Sequence, residues 1–430
     1  MGGRVAALVV LLLAALVLSG CNGSKETDDI VYIIGVGLDK ADNRMIKVTF
    51  QFAVPRALGA GGGGGGGSDS RETSAMASFT APSIAEAYNQ ATTVLSRMPN
   101  SSHARMFIIG TELAKDGVGD IIASLGRYRQ FRGSMYLLTV KDGTAEDFMK
   151  NLKSVLEILP SKYVEGMMLT SQESGYYPAS SIHHFYARIK GKTASPYTAL
   201  VAINPMTGKD RPGGRIIPGE KAEEYTAGNL PISGSIIPAN FAGTALYCTD
   251  KLVGVLTTEE TLMAQLLTGE LKRTFLPLAD PLAPDKPMNT IIKLREKPKI
   301  TPSLTDGRYR FDVAITIEGE ITSIPSGIHY EETTLRLQLE DHISAILRQN
   351  ILKMLTKTQE LRSDIVGFGY YARRLYETYP QWDQARERWE QDYSQAEIQV
   401  KVTTKIRRSG LTWKTMPIFS DPSAKEAKGQ

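Results

Sequence analysis

The chain has little of what most chemistries require. Among its 430 residues are two cysteines and five histidines, and its 50 cations exceed its 46 carboxylates by only four. So small a net charge on so long a chain gives no case for nucleic-acid binding. His103, His183, His184, His329 and His342 include no pair spaced as a zinc-binding helix motif with an intervening glutamate. Adjacent rings at His183 and His184 point to different faces of a helix, which reads as a surface pair. No Gly-x-Ser-x-Gly occurs, and Cys248 has no histidine near it in sequence, so neither a serine nor a thiol nucleophile is indicated. The glycine run at 61–67 is not followed by Lys-Ser/Thr and opens no helix, which excludes a phosphate-cradling loop; it reads as a mobile surface loop. No catalytic residues, metal or cofactor follow from these residues. Long apolar runs are equally scarce. The only one is Val5 to Leu18, and no later segment approaches the 18 apolar residues of a spanning helix.

That run is informative. As a helix it would be about 21 Å long, against a hydrocarbon core of about 30 Å. Arg4, the apolar run, then Ser19 and Gly20 follow the order of a secretory signal peptide. The ending Leu18-Ser19-Gly20-Cys21 resembles the bacterial lipobox, in which the cysteine is acylated and becomes the new N-terminus. The alternatives are an ordinary signal peptide with a chance cysteine, or a membrane anchor helix, which the length disfavours. Two or three acyl chains hold firmly, since each buried CH₂ contributes about 0.8 kcal/mol. Residues 1–20 are thus expected to be a lipoprotein signal peptide. Cys21 is the lipid (palmitate) site and 21–29 a polar tether, holding a water-soluble body against the outer face of a membrane. Cys248 is then left without a disulfide partner, and the core must supply the stability.

Composition fits a folded body, with 42% hydrophobic and 22% charged residues. About 410 residues give a prior of two to four domains. Ile30 to Asp39 and Met45 to Val54 read as strands joined by a hairpin, and Glu72 to Thr80 as a third. Ser83 with Glu86 forms a capping-box pattern opening a helix to about Met98. Arg105 to Gly110 and Ser134 to Lys141 are strands around a helix at Gly117 to Tyr128, and Ala145 to Arg188 is mostly helical. Pro205 to Pro238 is a Gly/Pro-rich excursion. Ala245 to Leu256 is a hairpin with Thr249-Asp250-Lys251 at its tip, followed by a short helix at Glu259 to Gly269. Pro277 to Pro287, with four prolines, reads as a linker. Thr290 to Lys297 and Tyr309 to Ser323 are strands, Glu331 to Leu361 a long helix, and Ile398 to Arg408 a last strand with its cations on one face. The pattern is α/β (α+β): three mixed sheet-plus-helix domains in tandem. Their expected bounds are 30–200 with the glycine loop, 201–284 with its linker, and 285–415, before a polar tail at 416–430.

The stretch Ser363 to Gly410 closely resembles the end of the Ger(x)C family, the lipoprotein C subunits of spore germinant receptors. The matching residues are Asp364, Gly367, Phe368, Gly369, Pro380, Trp382, Trp389, Arg407, Arg408 and Gly410. "GTALYCTDKLVGVLT", "SSHARMFIIGTELAKDGV" and "ETDDIVYIIGVGLDK" are similar to earlier parts of the family. Two departures stand out: Asn22-Gly23 replaces the usual Trp-Asp, and the glycine run is an insertion. The resemblance implies a three-domain α/β protein without catalytic activity. The resemblance further implies that it works beside A-type and B-type membrane-embedded subunits, lipid-anchored on the outer face of the spore inner membrane, in nutrient-triggered germination. A solute-binding lipoprotein serving a transporter is the alternative, though that class shows two similar lobes. Asp364, Gly367, Gly369 and Gly410 are expected as a structural motif, the first three as a turn opening a helix, with a ligand site as the other reading. Trp382 and Trp389, seven apart, read as core rather than a cation-π box. Lys401, Lys405 and Arg407 are either a solvated strand face or a docking face toward anionic lipid or an acidic partner.

Overall fold

The computed structural model describes residues 2–6, 29–54, 73–153, 156–204, 225–230, 232 and 238–408. Cys21, the glycine run at 61–67 and Gly410 lie outside the described residues. The body is a mixed α+β fold built on two sheets.

The first sheet comprises β1 (Ile30–Lys40), β2 (Ile46–Ala53), β3 (Ser74–Ala81), β4 (Met98–Asn100), β5 (Met106–Ile109), β6 (Tyr136–Val140), β7 (Tyr197–Ile203), β8 (Ala239–Cys248) and β9 (Lys251–Leu256). Its order is β3-β2-β1-β5-β6-β7-β8-β9, with β4 beside the start of β1. β1, β5, β6 and β7 run parallel, while β2, β3, β8 and β9 pair antiparallel. Near-continuous apolar runs in β1 and β5 suit a sheet covered on both faces. One face packs against α1 (Ile84–Ala91), α2 (Thr111–Asp116), α3 (Gly119–Leu125) and α6 (Ile182–Gly191). The other packs against α4 (Ala145–Asn151) and α5 (Pro160–Ser174).

After α7 (Thr258–Thr268) the second sheet follows: β10 (Thr274–Asp280), β11 (Ala283–Leu294), β12 (Lys299–Thr305), β13 (Arg308–Ser323) and β14 (Glu397–Arg408). β11 and β12 share one edge of β13 at its two ends, and β14 runs parallel along the other. Here the strands alternate: Tyr309, Phe311, Val313, Ile315 and Ile317 are buried and the residues between them are not. One face is thus packed against α8 (Thr333–Glu360) and the short helices α9 (Phe368–Ala372), α10 (Tyr379–Ala385) and α11 (Trp389–Ser394). The free edge of β14 is covered by a polar stripe on α8. Glu340 Oε1 accepts Ile406 N–H (2.8 Å), Ser344 Oγ accepts Thr404 N–H (3.0 Å), and Arg348 Nε donates to Val400 O (3.1 Å). Side chains four residues apart lie one above another on a helix, so the stripe matches a strand edge.

Several elements differ from the sequence reading. The helix from Ser83 ends at Ala91, because Thr92-Thr93-Val94 favours turn geometry, and Met98–Asn100 becomes a strand. The expected helix at 117–128 is two helices, broken by Gly117 at φ +119°. The proline-rich stretch 277–287 is the β10–β11 hairpin. Pro284 and Pro287 precede the point where β11 meets β13, so their missing N–H groups cost no bond to that strand. Residues 201–284, expected as a middle domain, are divided: β8 and β9 extend the first sheet and β10 begins the second.

Candidate functional site

The family-like residues meet at the joint between the two sheets. Asp364 is 1% exposed. Its Oδ1 accepts N–H bonds from Gly367 (2.8 Å) and Phe368 (3.0 Å); its Oδ2 accepts Gly369 N–H (3.1 Å) and Trp389 Nε1–H (2.9 Å). One carboxylate therefore closes the turn that opens α9 and fixes an indole. Burial pushes its pKa up, against the pull of the four donors. Both oxygens are fully occupied, so the ligand reading of this motif has no free acceptor to work with. Gly367 is left-handed at φ +86°, where a side chain is strained. Gly369 is needed for a different reason: a Cβ there would stand 2.4 Å from Thr193 O and 2.9 Å from Trp389 Cε2. Trp382 and Trp389 are buried with ring centroids 6.0 Å apart.

The first sheet reaches the same point through the segment after α6. Ser195 N–H donates to Asp364 O (2.7 Å). Arg188, buried on the Ile182–Phe185 face of α6, donates through Nη1 to Ser195 O (2.9 Å) and Ile365 O (2.8 Å). Its Nε donates to His184 Nε2 (3.0 Å), and the guanidinium lies 4.7 Å from the Tyr197 ring centroid. Burial, then the Arg188 charge, holds the His184 pKa down to about 4, so the ring is neutral and free to accept that bond. His183 is exposed; His184 is a partly buried member of the joint, not half of a surface pair. Beside the joint is a small open cleft, lined by Tyr197, Thr244, Gln265 and Glu270 among others. The Glu270 carboxyl, its pKa raised by burial, already accepts the Tyr197 hydroxyl at 3.2 Å.

The β8–β9 hairpin clamps both sides. Ser363 Oγ donates to Tyr247 O (2.8 Å), and Cys248 Sγ–H (3.2 Å) and Thr249 Oγ1 (2.8 Å) donate to Glu390. Facing the other way, Asp250 accepts Gly119 N–H (2.9 Å) at the start of α3. Burial and then Glu390 push the Cys248 thiol up to about 12, which keeps it an unreactive thiol. Of the three candidate docking cations, Lys401 is exposed without a charge partner among the described residues. Lys405 pairs with Glu340 (2.9 Å) and Arg407 with Glu318 (3.8 Å). Sequence reasoning missed Arg188, Ser195 and Glu390; the one available signal was a cation on the apolar face of α6. Among the described residues no group of three or more His, Cys, Asp or Glu could hold a metal ion, and no helix is long and apolar enough to cross a membrane.

Comparison with known proteins finds two family matches, whose boundary falls between β7 and β8 rather than between the two sheets. The family "Spore germination protein N-terminal domain" matches residues 23–203, and "Spore germination B3/GerAC like, C-terminal" matches 242–410. Spore germination protein KC of Bacillus subtilis (strain 168) is 24% identical over 406 residues, covering 94% of this chain and 95% of the relative. Spore germination protein A3 of the same organism is 24% identical over 414 residues, covering 94% and 97%. The crystal structure of the GerBC protein is similar at a TM-score of 0.49 and 16% identity, covering 86% of this chain and 96% of that one.

Proposed function

This chain belongs to the GerAC-like family of spore germination proteins, and from that premise we propose that it is a non-enzymatic lipoprotein subunit of a germinant receptor. Beside it stand A-type and B-type membrane-embedded subunits, and the complex triggers germination in response to a nutrient. The observation that carries this is the match of both halves of the chain to the family. The fold supports it, because buried carboxylates are committed to structural donors: Asp364 at the joint holds four, and Asp39 at the end of β1 accepts Ala145 N–H (2.6 Å) and Glu146 N–H (3.0 Å). Leu18-Ser19-Gly20-Cys21 supports anchoring through Cys21 at the outer face of the spore inner membrane. The subunit then acts by docking rather than by chemistry, with Lys401 as an open cation of the last strand.

The test has two arms. Cys21→Ala should leave an unprocessed precursor and abolish labelling by a fatty-acid analogue; labelling that persists sinks the anchor assignment. Lys401→Glu avoids the ion-paired Lys405 and Arg407, and should leave the melting temperature unchanged. It should reduce co-purification with the polytopic subunits and slow nutrient-triggered germination, while a receptor-independent agent still germinates the spores normally. Wild-type germination in that variant would place the docking surface elsewhere.

A further inference from the structure

We propose that the end of the first sheet where β1 begins is a membrane-apposed surface that binds anionic phospholipid headgroups. The inference rests on the lipid anchor at Cys21 proposed above. Eight residues separate Cys21 from Ile30. Fully extended they reach about 30 Å, so the Ile30 end stays within that distance of the lipid.

The loops gathered at that end are rich in arginine, with Asp29 just ahead of β1 and Glu157 and Glu165 on the opposite layer. Because β1, β5 and β6 are parallel, the segments leading into β5 and β6 emerge beside the start of β1. Met98 pairs in register with Ile30; Ser101 N–H donates to Gln130 Oε1 (3.4 Å); the Tyr88 and Tyr128 rings lie 5.7 Å apart. These contacts join residues 92–105 and 126–135 into one surface. It carries Arg97, Arg105, Arg127, Arg129 and Arg132 and contains no aspartate or glutamate. Arg105 is paired with Glu165 of α5 at 3.7 Å; Arg97, Arg127, Arg129 and Arg132 have no carboxylate partner among the described residues. Between the cations stand exposed apolar side chains: Val94 (66%), Met98 (48%) and Tyr128 (37%). On the opposite layer Leu156 and Ile158 are exposed around Glu157, and Ile158 O accepts the Thr73 hydroxyl just ahead of β3.

The other end of the same strands is charge-balanced. There Asp42, Glu112, Asp116, Asp142, Glu146 and Asp147 stand among Lys40, Arg44, Lys47, Lys115, Lys141 and Lys150, and Asp116, Glu112 and Glu146 are ion-paired with Lys40, Lys115, Lys47 and Lys150. An anionic bilayer attracts the arginine end, within a Debye length of about 8 to 10 Å, while the balanced far end offers it no comparable pull. Apolar and tyrosine side chains among cations are the composition of surfaces that settle at a headgroup boundary. The anchor supplies attachment, and the arginine end supplies orientation.

The test uses the full, processed protein reconstituted in vesicles of phosphatidylcholine alone or with phosphatidylglycerol. A polarity-sensitive dye is placed at Tyr128→Cys or, as the far-end control, Glu112→Cys; Cys248 is too poor a nucleophile to compete. Flotation with phosphatidylcholine vesicles reports the anchor, and the dye reports the surface, so either can fail alone. The expected result is a blue shift at position 128 in phosphatidylglycerol vesicles, reversed by salt and absent at position 112. The set R127Q/R129Q/R132Q should lower the docked-to-free ratio about a hundredfold, at about fivefold per arginine. The reversal R127E/R129E/R132E should abolish the shift without loss of flotation. A dye at 128 that responds equally to both vesicle types overturns the proposal. A shift seen only in membranes that carry the other receptor subunits overturns it in favour of an acidic protein surface.

Discussion

At Asp364 the chain buries a charge against three backbone N–H groups and one indole, with no cation bonded to it. Asp280 uses the same device: it accepts Leu282 N–H (2.9 Å), Ala283 N–H (3.2 Å) and the Ser326 hydroxyl (2.6 Å) at the β10–β11 turn. Such a carboxylate is costly to remove, because each buried donor left unpaired costs about 1 to 3 kcal/mol. Asp364→Ala is therefore expected to destabilise by at least about 3 kcal/mol in urea unfolding. Asp364→Asn should fall between, since its single amide oxygen can serve only part of the donor set while its NH₂ faces the rest. A loss below about 1 kcal/mol for the alanine variant would mean that water replaces the carboxylate and that the turn does not depend on it.

Helix α8 contributes two faces, one apolar against the second sheet and one polar along the edge of β14. Leu339, Ile343, Leu347, Ile351 and Met354 fill the first; Glu340, Ser344 and Arg348 make the second. Glu340→Ala leaves Ile406 N–H without its acceptor and should cost about 1 to 3 kcal/mol. Lys405→Ala, which removes only the half-exposed partner of the same glutamate, should cost under about 1 kcal/mol. Equal losses in thermal unfolding would show that the ion pair, not the edge bond, is what Glu340 provides. Periodicity makes α8, β13 and β14 readable from the chain alone, and the hairpin around Asp250 was marked by its turn residues. β4, β12, β10 and the first half of β11 were not readable. They are short, or carry prolines that local rules assign to linkers, and they become strands only because a neighbour supplies one edge. The site divides in the same way. Asp364, Gly367, Gly369, Trp382 and Trp389 lie close together in the chain and stand out as a set, whereas Arg188 and Ser195 join them from some 170 residues away, a distance no local pattern spans.

The whole molecule is held by a joint in which the two sheets touch through backbone groups as much as side chains. Gly369 is its tightest point, and Gly369→Ala should loosen it, since the new Cβ cannot coexist with Thr193 O at 2.4 Å. The expected outcome is faster proteolytic cleavage in residues 191–196, with each sheet's far-ultraviolet signal retained; unchanged cleavage would show that the loop yields without opening the joint. One feature of the first sheet also sets a timetable. β7 is buried along nearly its whole length, and its outer edge pairs with β8, which lies beyond the long Gly/Pro-rich stretch and within the second family match. A chain that emerges N-terminus first therefore presents an unfinished sheet, with an apolar strand edge open to any other chain, until Ala239–Cys248 has followed it out. The first half cannot mature ahead of the second, and the interval between β7 and β8 is the period in which the growing protein most needs a guardian.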